Sequence, residues 1–306
     1  MAFKPAAWVR LSRPKQWPKN LLLFAGLLFA GQLKDIPALL ARGAWWDALG
    51  VPGRACAGFV AFVLLSASVY ALNDLKDVAE DRRHPIKHTR PVACGDVAPW
   101  QAAALAGAWA ALGLGLAAVL GWRFFALAAA YLASSTLYSF WTKHQVILDV
   151  LSLAAGFVLR AAAGAAAVSV EISIWLLVCT SLGALFAGLA KRRSELAAVP
   201  QGSRSARRTL QQYSLPLLDQ MIAVVASATL LAYCLYAFSA HSAERGPWMM
   251  LTVPFVLYGI LRYLYLVHQK GLGAAPELVL LGDRALQVTL ALWVCFSAVI
   301  VLWTHS

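Results

Sequence analysis

Residues Cys56 to Pro91 read CAGFVAFVLLSASVYAL followed at once by NDLKDVAEDRRHPIKHTRP. The first part carries no charge over seventeen residues, close to the ~20 apolar residues that cross a bilayer as a helix. The second part places seven Lys, Arg or His and four acidic residues in nineteen positions. Asp74, Asp77 and Asp81 stand at i, i+3 and i+7, so a helix would present all three carboxylates on one face. Three like charges on one stripe repel unless a cation sits among them. A hard cation such as Mg²⁺ takes oxygen ligands and usually binds through one or two carboxylates plus substrate phosphates. With Asn73 beside them, these residues read as a metal–diphosphate clamp, and Arg83, Lys87 and Arg90 follow as bases for phosphate. The competing reading is a solvated helix end salt-bridged to Lys76, Arg82 and Arg83.

The rest of the chain fits a membrane protein. Its 306 residues are 61% hydrophobic and 13% charged, with a mean hydropathy of +0.68, against about 45–50% and about 25% in soluble domains. Apolar runs between charged or Pro/Gly breaks predict nine spanning helices, at roughly 17–33, 55–74, 100–120, 123–141, 146–167, 172–190, 217–239, 247–267 and 285–304. The first run has no convincing cleavage site and reads as a retained helix. Five dispersed cysteines, without a CxxC pair, suit neither a disulfide framework nor zinc. The four in apolar runs read as small core residues. The expectation is one domain over residues 1–306, with cap loops at about 75–98 and 191–215.

Nine spans put twenty of the 26 Lys and Arg on the side of the N-terminus and five on the other, with Arg160 inside a span. That asymmetry makes the N-terminal side cytoplasmic and leaves the C-terminus outside. It also accounts for the net charge of +12 without nucleic acid, for which no recognition module is visible. Eight of the fourteen acids share the basic side, which topology alone does not require.

Three further stretches carry candidates. RPKQWPKN places Lys15, Lys19 and Asn20 before the first run, as interfacial residues or as ligands of a lipid phosphate. In the fifth run Asp149, Ser152, Gly156 and Arg160 form a polar stripe, with Lys143 just before it. Ionisable residues inside spans face a protein interior or a wet cavity. AAAGAAA after Arg160 is small-residue packing, allowing close helix approach. In KRRSEL, Lys191, Arg192 and Arg193 suit phosphate oxygens, with Glu195 among them.

The pattern N-D-x-x-D-x-x-x-D followed by H-P-x-K-x-x-R-P resembles the first signature of the UbiA-type membrane prenyltransferases. The resemblance implies an all-α integral membrane protein of nine helices around a central cavity open to the cytoplasmic side. It further implies a diphosphate substrate held through Mg²⁺, with Mn²⁺ as the alternative ion, on Asn73, Asp74, Asp77 and Asp81. Members that prenylate aromatic acids carry a second Asp-rich motif after the sixth helix, where this chain has KRRSEL. RPKQWPKN, KRRSEL, YSFWTKHQVILDVLSLAAGFVLR (Tyr138–Arg160) and PELVLLGDRALQ together resemble the decaprenyl-phosphate phosphoribosyltransferase branch.

That branch implies transfer of a 5-phosphoribosyl group from phosphoribosyl diphosphate (PRPP) to polyprenyl phosphate. The product would be a lipid-linked pentose donor for cell-envelope glycans, made at a bacterial inner membrane. The implied machinery is catalytic Asp74, Asp77, Asp81 and Asp149, with Tyr138, Lys143 and Arg160 lining the cavity and the basic clusters holding phosphates. Tyr213 reads as a core or interface residue. A homo-oligomer stays open. The other functions considered are prenyl transfer to an aromatic or haem acceptor and, more remotely, anion transport, for which a repeat between halves is missing.

Overall fold

The computed structural model describes residues 5–25, 42, 45–83, 87–171, 174–199, 208–239, 246–273, 279–280 and 282–303, with backbone only for 45–49, 208, 239, 246–247 and 301–303. Most of the expected first run beyond Ala25, residue His84 and the middle of the 191–215 loop lie outside these residues. Eight of the nine predicted runs are helical, and no strand occurs among the described residues. Six helices are long and apolar enough to cross a membrane: Gly50–Lys76, Pro99–Leu120, Leu148–Ala167, Ile174–Ala197, Leu215–Phe238 and Trp248–Gln269. Trp122–Phe140 falls outside that set because Arg123, Ser134, Ser135, Thr136 and Ser139 dilute its apolar character. Arg284–Ile300 is apolar but shorter. The chain is therefore an all-helical, multi-pass membrane protein.

Two compact units form the chain, one of residues 1–140 and 159–172, the other of 141–158 and 173–306. The first contains α1 (Pro5–Leu11), a 3-10 segment (Pro14–Phe24), α2 (Trp45–Lys76), α3 (Val78–Arg83), α4 (Pro99–Leu120), α5 (Trp122–Phe140) and the end of α6 (Leu148–Ala167). Pro14 and Pro18 cannot donate to an α-helical ladder, so the stretch expected to open the first span is a 3-10 helix from Pro14 to Phe24. α4 starts where Pro99 needs no N–H partner and Gln101 accepts from the Ala98 N–H at 3.0 Å. It ends at Gly121, whose φ of 117° disfavours any side chain.

The core of this unit joins Leu23, Phe62, Leu65, Phe124 and Tyr131 through a bed of buried alanines. With lipid outside and no hydrophobic drive between helices, small residues set how near the backbones come. Gly164 is the extreme case, because a Cβ there would lie 2.0 Å from the Leu23 carbonyl oxygen. The Arg54 guanidinium donates to the Ala167 carbonyl at 2.8 Å and the Leu120 carbonyl at 3.2 Å, tying off the last turns of α6 and α4.

The second unit contains the start of α6, then α7 (Ile174–Ala197), α8 (Leu215–Ser239), α9 (Val253–Gln269) and α10 (Arg284–Trp303). α7 and α8 pack most extensively, around Phe186, Leu189, Leu218, Ile222, Tyr263 and Val267. Asp283 caps α10 by accepting from the Leu286 N–H at 2.9 Å and pairs with Arg262 at 2.8 Å. All five cysteines are free thiols, and Cys56 and Cys295 lie exposed rather than in the core. On membrane helices an exposed apolar face is a lipid-facing one, so outward positions accept the same residues as the interior.

Candidate functional site

α2 stops at Lys76 and α3 starts at Val78, with Asp77 as the joint. The Asp77 N–H donates to the Asn73 carbonyl at 2.9 Å and the Asp81 N–H to the Asp77 carbonyl at 2.8 Å, so the helical register survives. Asp74 is 1% exposed and Asp81 2%, while Asn73 and Asp77 are half-buried. Buried carboxylates need cations, and these find them in the protein. Arg90 reaches Asp81 at 2.6 Å and Asp74 at 3.4 Å, and Arg13 donates to the same Asp74 oxygen. Arg13 occupies the left-handed region at φ 51° and lies 4.9 Å from the Tyr70 ring centroid. Sequence reasoning left Arg13 out of the site, although it begins the RPKQWPKN motif.

Among the described residues no three His, Cys, Asp or Glu stand close enough to hold a metal ion by themselves. The expected clamp is thus not a ready-made cage, because guanidinium groups lie between its carboxylates. The other Asp74 oxygen, Oδ2, is buried and has no hydrogen-bond partner among the described residues. An unsatisfied buried acceptor costs about 1–3 kcal/mol, more if charged, and a divalent ion or a substrate-bound cation would relieve it. Asp74 and Asp81 therefore fit Mg²⁺ if phosphate oxygens complete its shell. Arg83 and Lys87 are exposed nearby in sequence.

A second cluster in the same unit surrounds Arg160, which is 6% exposed. Its Nε donates to Asn20 Oδ1 at 2.8 Å, its Nη2 donates to the Tyr131 hydroxyl at 2.7 Å, and its guanidinium lies 4.6 Å from the Tyr131 ring centroid. Ser66 joins through Asn20 at 3.5 Å and Tyr131 at 3.0 Å. Asn20 Nδ2 is buried without a partner among the described residues. Gly164, one turn beyond Arg160, is the reason Asn20 can be there: it lets the 3-10 segment lie against α6. The AAAGAAA packing therefore positions a polar cluster. Lys15 is exposed, and Lys19 and Tyr138 are half-buried.

In the second unit the guanidinium groups of KRRSEL are paired with carboxylates. Arg192 is 2% exposed, and its guanidinium is engaged by Asp149 at 2.7 Å and Glu195 at 2.5 Å. Arg193 donates to Asp219 at 2.5 Å, and His268 approaches the same carboxylate at 3.1 Å. These two forks bind carboxylates of the protein, not an open anion site. Lys191 alone of the three has no carboxylate pairing among the described residues, and it is half-buried. Asp149, expected among the catalytic carboxylates, is fully buried and accepts from Arg192 and from the Tyr213 hydroxyl at 3.1 Å. Burial pushes the Tyr213 hydroxyl up to about 12, with the neighbouring Asp149 charge adding to the rise, so it stays a proton donor. Lys143 is half-buried on the turn before α6, and its carbonyl accepts from Thr209 at 2.8 Å.

Residues 36–281 match the UbiA prenyltransferase family, and the chain belongs to that family. It is 33% identical to the decaprenyl-phosphate phosphoribosyltransferase of Mycolicibacterium smegmatis, over 94% of this chain and 89% of that one. The enzymes of the same name from Corynebacterium glutamicum and Mycobacterium tuberculosis are 35% and 33% identical, over 94% of this chain and 84% and 92% of theirs. Among solved structures, a UbiA homologue of Archaeoglobus fulgidus bound to GPP and Mg²⁺ has the same fold, with a TM-score of 0.69 and 18% identity over 96% of this chain and 99% of that one.

Proposed function

We propose that this protein transfers a 5-phosphoribosyl group from PRPP to decaprenyl or another polyprenyl phosphate and releases diphosphate. The reading is carried by the buried carboxylates and guanidinium groups assembled at the end of α2, in a chain 33–35% identical to enzymes of that name over 94% of its length. In the step, the bond from the anomeric carbon to the diphosphate oxygen breaks and the leaving group takes the electron pair. An acceptor phosphate oxygen forms the new bond to that carbon. The transition state is oxocarbenium-like, as in other glycosyl transfers. The acceptor phosphate is already ionised near neutral pH, with a second pKa of about 6, so no protein nucleophile is required.

Asp74 and Asp81, with Asn73 and Asp77 beside them, would hold Mg²⁺ or Mn²⁺, which when bound neutralises the leaving diphosphate. Arg90 pairs with both carboxylates and Arg13 with Asp74, so the cations stand where the charge of a bound donor would be met. Arg83 and Lys87 meet donor phosphates from the solvent side. Arg160 and Asn20 offer N–H groups to a polar part of a substrate, and Lys15 and Lys19 meet the lipid phosphate. Arg192, Glu195 and Asp149 act as scaffold for the elements that carry Lys143 and Lys191. The site opens to the cytoplasm of a bacterial plasma membrane, within a nine-span bundle, and the product feeds cell-envelope glycan synthesis.

Purified protein in lipid vesicles, given ribose-labelled PRPP and polyprenyl phosphate, would produce a labelled lipid in a metal-dependent manner. If label enters lipid only from a prenyl diphosphate in the presence of an aromatic acceptor, the protein is a prenyltransferase and the reading fails.

A further inference from the structure

Ile147 precedes α6 with φ at +69°, a region that β-branched residues rarely enter because the side chain crowds the backbone. Such a conformation persists only where its surroundings hold it. The Ile147 side chain is exposed, so packing on that side supplies little of the hold. The hold is a hydrogen bond: the Ile147 N–H donates to the Tyr213 hydroxyl oxygen at 2.7 Å. That hydroxyl in turn donates to Asp149 Oδ1 at 3.1 Å, and the other Asp149 oxygen accepts from Arg192 at 2.7 Å. The chain of bonds ends at Glu195, 2.5 Å from Arg192. Four places in the second unit are joined through one phenol: the 141–147 turn, the first turn of α6, the last turns of α7, and the segment before α8.

A second fastener runs parallel to it. Thr209 donates to the Lys143 carbonyl at 2.8 Å, and Thr142 accepts from Ser152 of α6 at 2.9 Å. Both ends of the Lys143 turn are therefore bonded to elements around it. The Tyr213 ring is buried among Val150, Leu189 and Leu218, which fixes where its hydroxyl points. The hydroxyl keeps its proton to about pH 12, so the donor to Asp149 is present at every working pH.

We infer that Tyr213 is a positioning residue: by clamping the strained Ile147 turn to Asp149 and Arg192, it holds the turn that carries Lys143, a phosphate-binding lysine on the phosphoribosyl-transfer reading. The role of Lys143 rests on the phosphoribosyl-transfer reading, whereas the clamp itself does not. Tyr213 neither touches the reacting atoms nor needs to ionise. KRRSEL thus contributes to anion binding through Arg192 as the far end of the clamp, with Lys143 presenting the charge.

Tyr213→Phe keeps the ring and removes the hydroxyl. Hydrogen–deuterium exchange on the whole purified protein should then rise at least fivefold for amides of residues 143–149, a readout that needs no substrate. In the transfer assay the KM for PRPP should rise about fivefold with kcat within twofold, the size of one lost hydrogen bond. Ile147→Gly relieves the strain, because glycine accepts positive φ without cost. In that background Tyr213→Phe should change KM less than twofold, a coupling that a merely packing role of Tyr213 would not give. Unchanged exchange in Tyr213→Phe, or an equal KM penalty with Ile and with Gly at 147, overturns the inference. If Tyr213→Phe does not fold, Thr209→Val must raise the same exchange, and failure to do so overturns it too. Absence of any lipid product from the unmutated protein would refute the transfer reading, while the exchange comparison would still decide the clamp.

Discussion

The Arg90 guanidinium donates to the Asp81 carboxylate at 2.6 Å across nine positions of chain. The 3-10 turn Lys87–Thr89 brings the basic tail of the motif back over the helix that carries its acids. Arg90→Ala would leave two buried carboxylates facing one cation fewer. Removing one partner of a buried pair costs about 3–5 kcal/mol, and the low end applies because the Arg90 side chain is partly exposed. Thermal unfolding in detergent should show that loss, and Arg90→Lys should recover part of it by keeping the charge.

Gly164 gives a steric prediction. A methyl group there would meet the Leu23 carbonyl at 2.0 Å, so Gly164→Ala must push the 3-10 segment off α6 and carry Asn20 away from Arg160. Overpacking of this kind costs about 1–3 kcal/mol or more. Gly107→Ala on α4, where nothing lies within 4 Å, should be neutral or stabilising through helix propensity. Equal melting temperatures for the two variants would refute the close approach.

Asn20 and Arg160 share one hydrogen bond, so their substitutions should not add. Asn20→Ala and Arg160→Lys are each expected to lower kcat/KM about tenfold, or ~1.4 kcal/mol, since lysine cannot reproduce the Arg fork. The double variant should lose much less than a hundredfold. A full hundredfold loss would mean the two act independently.

Asp283 sets an acid-side dependence. Its hydrogen bond from Arg262, and then that from the Leu286 N–H, hold its carboxyl below the usual 3.8. A lowered native pKa contributes stability above the unfolded value that is lost as pH falls through the native one. The melting temperature should therefore drop below about pH 4 in the unmutated protein and drop less in Asp283→Asn. Asp283→Ala also removes the cap of α10, worth about 1 kcal/mol at neutral pH.

The Asp stripe, the helical runs and the small-residue packing were legible because each depends on local spacing. The i, i+3, i+7 register of Asp74, Asp77 and Asp81 survives even though the helix breaks at Asp77. What spacing could not supply was the partner of each charge. Arg13 finds Asp74 across 61 positions, and Arg192 finds Asp149 across 43. A run of guanidinium groups reads as an anion site until the carboxylates that neutralise it are located. Tyr213 was passed over for a related reason: an isolated tyrosine in an apolar chain carries no pattern, and only the strained turn at Ile147 reveals what its hydroxyl does.

Asp74 and its neighbours are proposed to hold a metal-bound donor diphosphate. The most direct measurement is metal-dependent label transfer from PRPP to polyprenyl phosphate by the unmutated protein and by Asp74→Asn, with thermal unfolding as the check on folding. Labelled lipid should rise with Mg²⁺ for the former and be absent for a folded Asp74→Asn. Transfer by Asp74→Asn at the unmutated rate would contradict the proposal.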